Sequence, residues 1–302
     1  MSWILPLDIG VVMGLILAWP VLALALAFRL LSFPDLTLEG SLPTGAAVCA
    51  IVLLHGWPMT VAIVAALLAG ACLGALTALI HVQLQVNKFL AGIIVVAIAY
   101  TIDLRIMGAS NISLIRAPSL FDFIAPLNEF LGTFFQLGTI VFLAALLLVG
   151  CAVILAGVVS IWGLRLRVAG SNPEYARSLG INVPLHLIIG LAITNGLAAA
   201  SGVLLAMYQG FSDVGMGQGV LIFALAGMTI GERVVPDYSL SIPRFVIVTA
   251  IVGSVIYETV TAYALRLGLA ATDLKLATAL FVLIVIAVRV KRSDDDFLEV
   301  IR

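Results

Sequence analysis

Charge is what this sequence has least of. Its 302 residues hold 15 Lys and Arg against 16 Asp and Glu, so 10% of the chain is charged, where an ordinary soluble domain carries about 25%. So few charges could not cover the water-facing surface of a chain this size, which excludes a soluble globular fold. The net charge of −1 says nothing about nucleic acid, but the sequence holds no basic patch, and no nucleic-acid partner is expected. Histidine is as scarce: His55, His81 and His186 stand alone, with no second ligand at metal spacing. Cys49, Cys72 and Cys151 all lie in apolar runs and read as three buried thiols rather than a bridge or a metal site.

Enzyme signatures are missing as well. There is no G-x-x-x-x-G-K phosphate loop, so ATP is not bound in that manner by this chain. "GMGQG" at 215–219 lacks the G-x-G-x-x-G spacing, and no strand is expected before it. No G-x-S-x-G elbow occurs. The reading is of a protein that is not an enzyme, with no catalytic residues and no cofactor or metal of its own. "MSWILPLDIG" has no basic residue ahead of its apolar run, which argues against a cleaved signal peptide.

What is present is apolar length: 63% of the residues are hydrophobic and the mean hydropathy is +1.24. A helix crosses a bilayer in about 20 apolar residues. Charge-free runs of that kind are Ile9–Phe28, Trp57–Ile80, Leu137–Leu164, Leu187–Phe211 and Val214–Gly231. Ser41–Leu54, Phe89–Ile102, Phe245–Leu265 and Leu276–Val288 are shorter, or carry or adjoin charge. The expected fold is an all-α polytopic membrane bundle of one domain, residues 1–302, with about nine crossings, eight and ten remaining open.

Lys and Arg set the orientation. With the C-terminal "RVKRSDDD" and the 165–185 loop in the cytoplasm, Arg29, Lys88, Arg165, Arg167, Arg177, Arg233, Arg244, Arg289, Lys291, Arg292 and Arg302 fall inside. Arg105, Arg116, Arg266 and Lys275 fall outside, as does the N-terminus. Small residues recur every four positions at Ala62, Ala66, Gly70, Gly74 and Ala78, and again at Gly190, Thr194, Ala198, Gly202 and Ala206. Such stripes let helix backbones approach closely, either within one subunit or at a dimer seam.

One segment is too polar for its surroundings. "VAGSNPEYARSLGIN" (168–182) reads as a short capped helix. Asn172 or Ser171 can cap it, Pro173 suits its first turn, Ser171 with Glu174 has capping-box spacing, and Gly180 is placed to end it. Tyr175 and Leu179 share one face, while Glu174 and Arg177 form an i, i+3 pair elsewhere. A helix this short is marginal alone, so it is either a surface helix lying on the membrane or a docking helix for a cytoplasmic partner.

This segment resembles the coupling segment of permease subunits from the branched-chain amino acid and ribose class of ABC importers. The Gly-x-Asn-x-x-x-Ala-x-x-x-Gly pattern falls on Gly170, Asn172, Ala176 and Gly180. The similarity extends through "FPDLTLEGSLPTGAA" (33–47), "LRIMGASNISL" (104–114) and "GLAAASGVLLAMYQGFSDVGMGQG" (196–219), where it resembles the permeases that accompany tryptophan- or tyrosine-type binding proteins. The resemblance implies a homodimeric pore in a bacterial plasma membrane, two cytoplasmic ABC ATPase subunits that bind the ATP, and an extracytoplasmic solute-binding protein. The solute it implies is an amino acid of aromatic or branched-chain type. A nucleoside or sugar permease, and a transporter or channel independent of ATPases, remain the alternatives. Gly170, Asn172, Glu174, Tyr175, Arg177, Leu179 and Gly180 are the candidate coupling residues.

"FPDLTLEGSLP" places Asp35, Thr37, Glu39 and Ser41 between Pro34 and Pro43, at the entrance to an apolar run. It reads either as a cytoplasmic loop with solvated carboxylates or as a broken second helix lining the solute path. Glu258, inside "GSVIYETVTAYAL", is a path candidate or a buried hydrogen-bonding group. Asn195 and Gln209 read as hydrogen-bonding links between helices.

Overall fold

A computed structural model describes residues 5–126, 128, 136–235 and 242–268, with isolated positions 273, 276 and 280. The span expected over Leu276–Val288 and the C-terminal tail lie outside the described residues, apart from those single positions. The elements in chain order are α1 (Leu5–Leu30), α2 (Leu38–Leu54), α3 (Met59–Leu84), α4 (Lys88–Met107), β1 (Asn111–Ser113), α5 (Leu137–Val159), α6 (Ile161–Ser171), α7 (Pro173–Ser178), α8 (Val183–Gln209), β2 (Phe211–Asp213), α9 (Val220–Val234) and α10 (Ile242–Arg266). A 3-10 turn occupies Leu120–Phe123. Six of the helices (α1, α3, α4, α5, α8 and α10) are long and apolar enough to cross a membrane, and α2 is a shorter apolar helix. The fold is thus the expected polytopic helical bundle.

α1 and α8 form its middle. Val12, Ile16, Val21, Leu22 and Ala23 of α1 are fully buried, as are Leu191, Ala198, Ala199 and Ala206 of α8. The two small-residue stripes work within the subunit. Gly70 and Gly74 bring α3 against α8 so closely that a Cβ on Gly70 would lie 2.6 Å from Asn195 O, and one on Gly74 2.7 Å from Asn195 Nδ2. Gly202 meets the backbone of α2 at Leu42 and Ala46, and Gly190 meets Leu31. In lipid, where lipid tails are as apolar as leucine, such close backbone contact is a main source of helix association.

Three expectations about the elements change. The run Leu137–Leu164 is not one helix: it breaks at Ser160, whose hydroxyl accepts from Gly163 N at 3.3 Å and so starts α6 afresh. Val214–Gly231 is helical only from Val220, because Gly215, Gly217 and Gly219 carry the chain through turns, with φ +88° at Gly219. A strand does precede "GMGQG", since β2 pairs antiparallel with β1 through Asn111–Asp213, Ile112–Ser212 and Ser113–Phe211. It is therefore the glycine spacing, not the lack of a strand, that departs from the dinucleotide-binding pattern. Of the cysteines, Cys49 and Cys151 are buried and free, but Cys72 is exposed on the outer face of α3.

The two ends of the bundle differ in charge. Arg29 pairs with Glu232, Lys88 Nζ donates to Ser32 O at 2.8 Å, Phe33 packs edge-on to His81, and Gly170 lies on Leu30 and Leu31. These contacts gather the C-terminal ends of α1, α3 and α9 with the start of α4 and the α6–α7–α8 junction. Among the described residues this end holds Arg29, Lys88, Arg165, Arg167, Arg177, Arg233 and Arg244, and the opposite end, with the β1–β2 ribbon, holds Arg105, Arg116 and Arg266.

Candidate functional site

The polar helix between the long apolar ones is α7. Asn172 caps it, its side-chain oxygen accepting from Tyr175 N at 3.0 Å, and Pro173 opens the first turn. Gly180 adopts φ +73°, and Ile181 N donates back to Ala176 O at 3.0 Å, closing the C-terminus with a left-handed glycine. The Ser171–Glu174 capping box does not form. Ser171 is the last residue of α6, and its hydroxyl turns to Val168 O at 3.4 Å.

The four pattern residues therefore serve the shape of the segment. Gly170 allows α6 to touch Leu30 and Leu31, Asn172 starts α7, Ala176 is fully buried beneath it, and Gly180 ends it. Glu174 and Arg177 stand exposed. Tyr175 and Leu179 are 55% and 56% exposed, so two large apolar side chains project from a rigid support.

The second candidate region runs from Phe33 into α2. Residues 32–36 have no regular structure, yet Phe33, Asp35 and Thr37 are fully buried. Non-helical backbone so deeply buried is tolerated because protein surrounds it and supplies its hydrogen bonds. Asp35 Oδ1 accepts from Thr37 N at 2.9 Å, and its Oδ2 accepts from Asn195 Nδ2 at 2.5 Å. Asn195 Oδ1 accepts from Ser41 Oγ at 2.6 Å, and its Nδ2 also donates to Leu191 O at 2.9 Å. Thr37 and Thr77 hydroxyls meet at 2.7 Å. Asp35, Thr37 and Ser41 thus converge on α3 and α8, and Asn195 links helices as expected. Gln209 instead stands exposed at the end of α8.

Glu39 faces the other way. In the first turn of α2 it lies about 200° from Thr37 around the helix axis. There it borders a cavity of about 740 Å³ between the start of α2, the middle of α4 and the start of α9. Tyr100, Thr101 and Gln218 supply the other polar groups of the lining, and Ile93, Val96 and Leu221 much of its apolar wall. Glu39 Oε1 accepts from Gly219 N at 3.2 Å, capping α9 from outside. Its carboxylate therefore sits at two helix N-termini, where the dipoles favour negative charge. Pro43 donates no hydrogen bond to Glu39 O, and Gly217 lies against that carbonyl with no Cβ to obstruct it.

Glu258 belongs to neither group. It lies on α10 where Gly10 of α1 packs on the Glu258–Thr259 backbone, away from the cavity lining. Asp103, the residue just after the Phe89–Ile102 run, has in the sequence only the appearance of a charged span limit. It is fully buried in α4, with Thr44 Oγ1 3.0 Å from its Oδ2 and 2.9 Å from Gly40 O. Tyr100 and Gln218 were missed too. A tyrosine inside an apolar run and a glutamine among glycines carry no spacing signal; only the fold brings them to Glu39.

A family model described as branched-chain amino acid transport system / permease component matches residues 7–288. A protein named tyrosine transport system permease protein from Clostridioides difficile is 36% identical over 275 residues, 91% of this chain and 88% of its own. An uncharacterized protein of Rickettsia prowazekii is 30% identical over 278 residues, 91% of this chain and 94% of its own. No solved structure matches the chain.

Proposed function

We propose a function from the premise that this chain belongs to the branched-chain amino acid transport system permease family, and so is a multi-pass transmembrane permease of ABC type. In our reading two copies form the pore of an importer in a bacterial plasma membrane, and α7 is the coupling helix that seats in an ATPase subunit. The end holding α7 is cytoplasmic, in keeping with its excess of Lys and Arg. An extracytoplasmic binding protein delivers solute at the β1–β2 end. ATP is bound by the partner subunits.

The observation that carries this reading is the division of labour in 168–182. Gly170, Asn172, Ala176 and Gly180 are consumed in building the support, while Tyr175 and Leu179 are left exposed on it.

The solute path runs past the cavity bordered by Glu39, Tyr100, Thr101 and Gln218. Of the residues first considered for it, Glu39 faces the solute. Asp35, Thr37 and Ser41 brace the wall from behind, and Glu258 takes no part. The solute is an amino acid, and the 36% identity to a permease named for tyrosine favours an aromatic one. A carboxylate beside an aromatic ring and an apolar wall suits an ammonium group carried on a large apolar side chain.

Reconstitution tests the proposal. The chain, co-expressed with an ABC ATPase and a solute-binding protein of the same transport class, should co-purify with the ATPase and drive ATP-dependent uptake of labelled L-tyrosine into proteoliposomes. Uptake that proceeds equally without ATP or ATPase would assign the chain to another transport mechanism.

A further inference from the structure

We infer that Asn195 is a positioning residue that ties the coupling helix to the solute cavity, so that α8 and the segment bearing Glu39 move as one body. This rests on the function proposed above and extends it from where the two sites lie to how they are joined.

The connection begins at α7. Its closing turn, Gly180–Asn182, runs directly into α8, where Asn182 accepts from Leu185 N at 3.1 Å to cap the next helix. Only the short turn 179–182 separates the two helices. α8 is 27 residues long and Asn195 lies near its midpoint, about 18 Å from its start at about 1.5 Å per residue. A displacement of α7 therefore reaches Asn195 along a continuous helix.

At Asn195 the lever meets the cavity wall. Its amide is fully buried and fully used: Nδ2 donates to Asp35 and to Leu191 O, and Oδ1 accepts from Ser41. Asp35 and Ser41 bracket Glu39 in sequence, so one side chain grips the wall on both sides of the residue that faces the cavity. α3 presses on α8 at this level, with Gly70 and Gly74 in contact with Asn195. Its Thr77 bonds Thr37 from the same side. A buried polar network in which every member is satisfied holds its parts in one arrangement, because parting them strands polar groups in an apolar interior. Coupling between distant sites needs such a physically continuous connection.

The test uses the reconstituted complex, with labelled L-tyrosine as the probe and ATP hydrolysis measured in the same vesicles. Asn195→Asp keeps the side chain's size but sets two carboxylates against each other. We expect the ATPase to stay bound and hydrolysis to stay stimulated by loaded binding protein, while tyrosine imported per ATP hydrolysed falls about tenfold. The exchange Asp35→Asn with Asn195→Asp restores the bond between the two positions with its polarity reversed but not the one to Leu191 O, and should recover part of the ratio. Ser41→Ala, which removes one bond, should give an intermediate loss and decides the matter if Asn195→Asp fails to assemble. The inference is overturned if uptake and hydrolysis fall in equal proportion, if the ratio is unchanged, or if the exchange recovers nothing. A wild-type complex with no ATP-driven uptake would instead remove the underlying function and this inference with it.

Discussion

The segment around α7 and the segment from Asp35 to Thr44 are both polar interruptions in an apolar chain, and they are built in opposite senses. In the first, Asn172 and Gly180 close the two ends of the helix with local bonds and only Ala176 is buried, while the apolar Tyr175 and Leu179 point out. In the second, Asp35, Thr37 and Ser41 turn inward to one another's partners, and one charged residue, Glu39, faces the cavity. The surroundings account for the difference. At a water-facing end a helix satisfies its termini locally, so an exposed apolar side chain is what signals a partner. Inside the bundle every buried polar group must find a partner in the protein, so the residue turned toward open space is the one with a task.

That contrast can be broken by substitution, and the largest effect is expected at α7. A Tyr175→Ala, Leu179→Ala double variant should insert and fold normally, since both side chains are more than half exposed. It should lose about 2–4 kcal/mol of docking energy at about 25 cal/mol per Å² of apolar surface, one and a half to three powers of ten in affinity. Co-purification of the ATPase measures it, and a full complement on the double variant would make α7 a surface helix.

Next in size is a separation of roles within the second segment. Asp35→Ala leaves Asn195 Nδ2 and Thr37 N buried without their partner and should cost about 1–3 kcal/mol of stability. It should show as a lowered unfolding temperature in detergent. Glu39→Ala removes a half-buried hydrogen bond to Gly219, worth about 1 kcal/mol, yet should abolish most uptake by complexes that remain assembled. Equal losses of stability in both variants would dissolve the distinction. The smallest effect belongs to Arg177→Ala, which should weaken ATPase binding by about 0–1 kcal/mol and less at high salt, read from the ionic-strength dependence of the affinity.

The contrast also explains what could be read from the chain. The long helices were legible because a charge-free run of crossing length has few other uses, and α7 because its capping chemistry is local. The break at Ser160 was not, since a single serine in an apolar run also fits a continuous helix. Nor was the turn region before Val220, whose glycines and apolar residues read as a weak span. The inward face of the second segment depended on Thr77 and Asn195, 40 and about 160 positions away. Spacing within 35–41 distinguishes the two faces of a helix turn but cannot say which of them meets protein. Asp103 was passed over for a similar reason: a charge near the end of an apolar run looks like the limit of a span, and only packing against Thr44 shows it to be inside.

The most direct test of the account is cysteine accessibility at Glu39 against Thr37, in the assembled complex with no cysteine elsewhere in the permease. Each single-cysteine variant is exposed to a membrane-impermeant maleimide from either side, without nucleotide and with ATP trapped. The account predicts that Glu39→Cys labels from the cytoplasm in one state and from outside in the other, while Thr37→Cys stays unlabelled in both. Labelling of both positions from the cytoplasm alone, whatever the nucleotide, would make the segment an ordinary loop and contradict the path past Glu39.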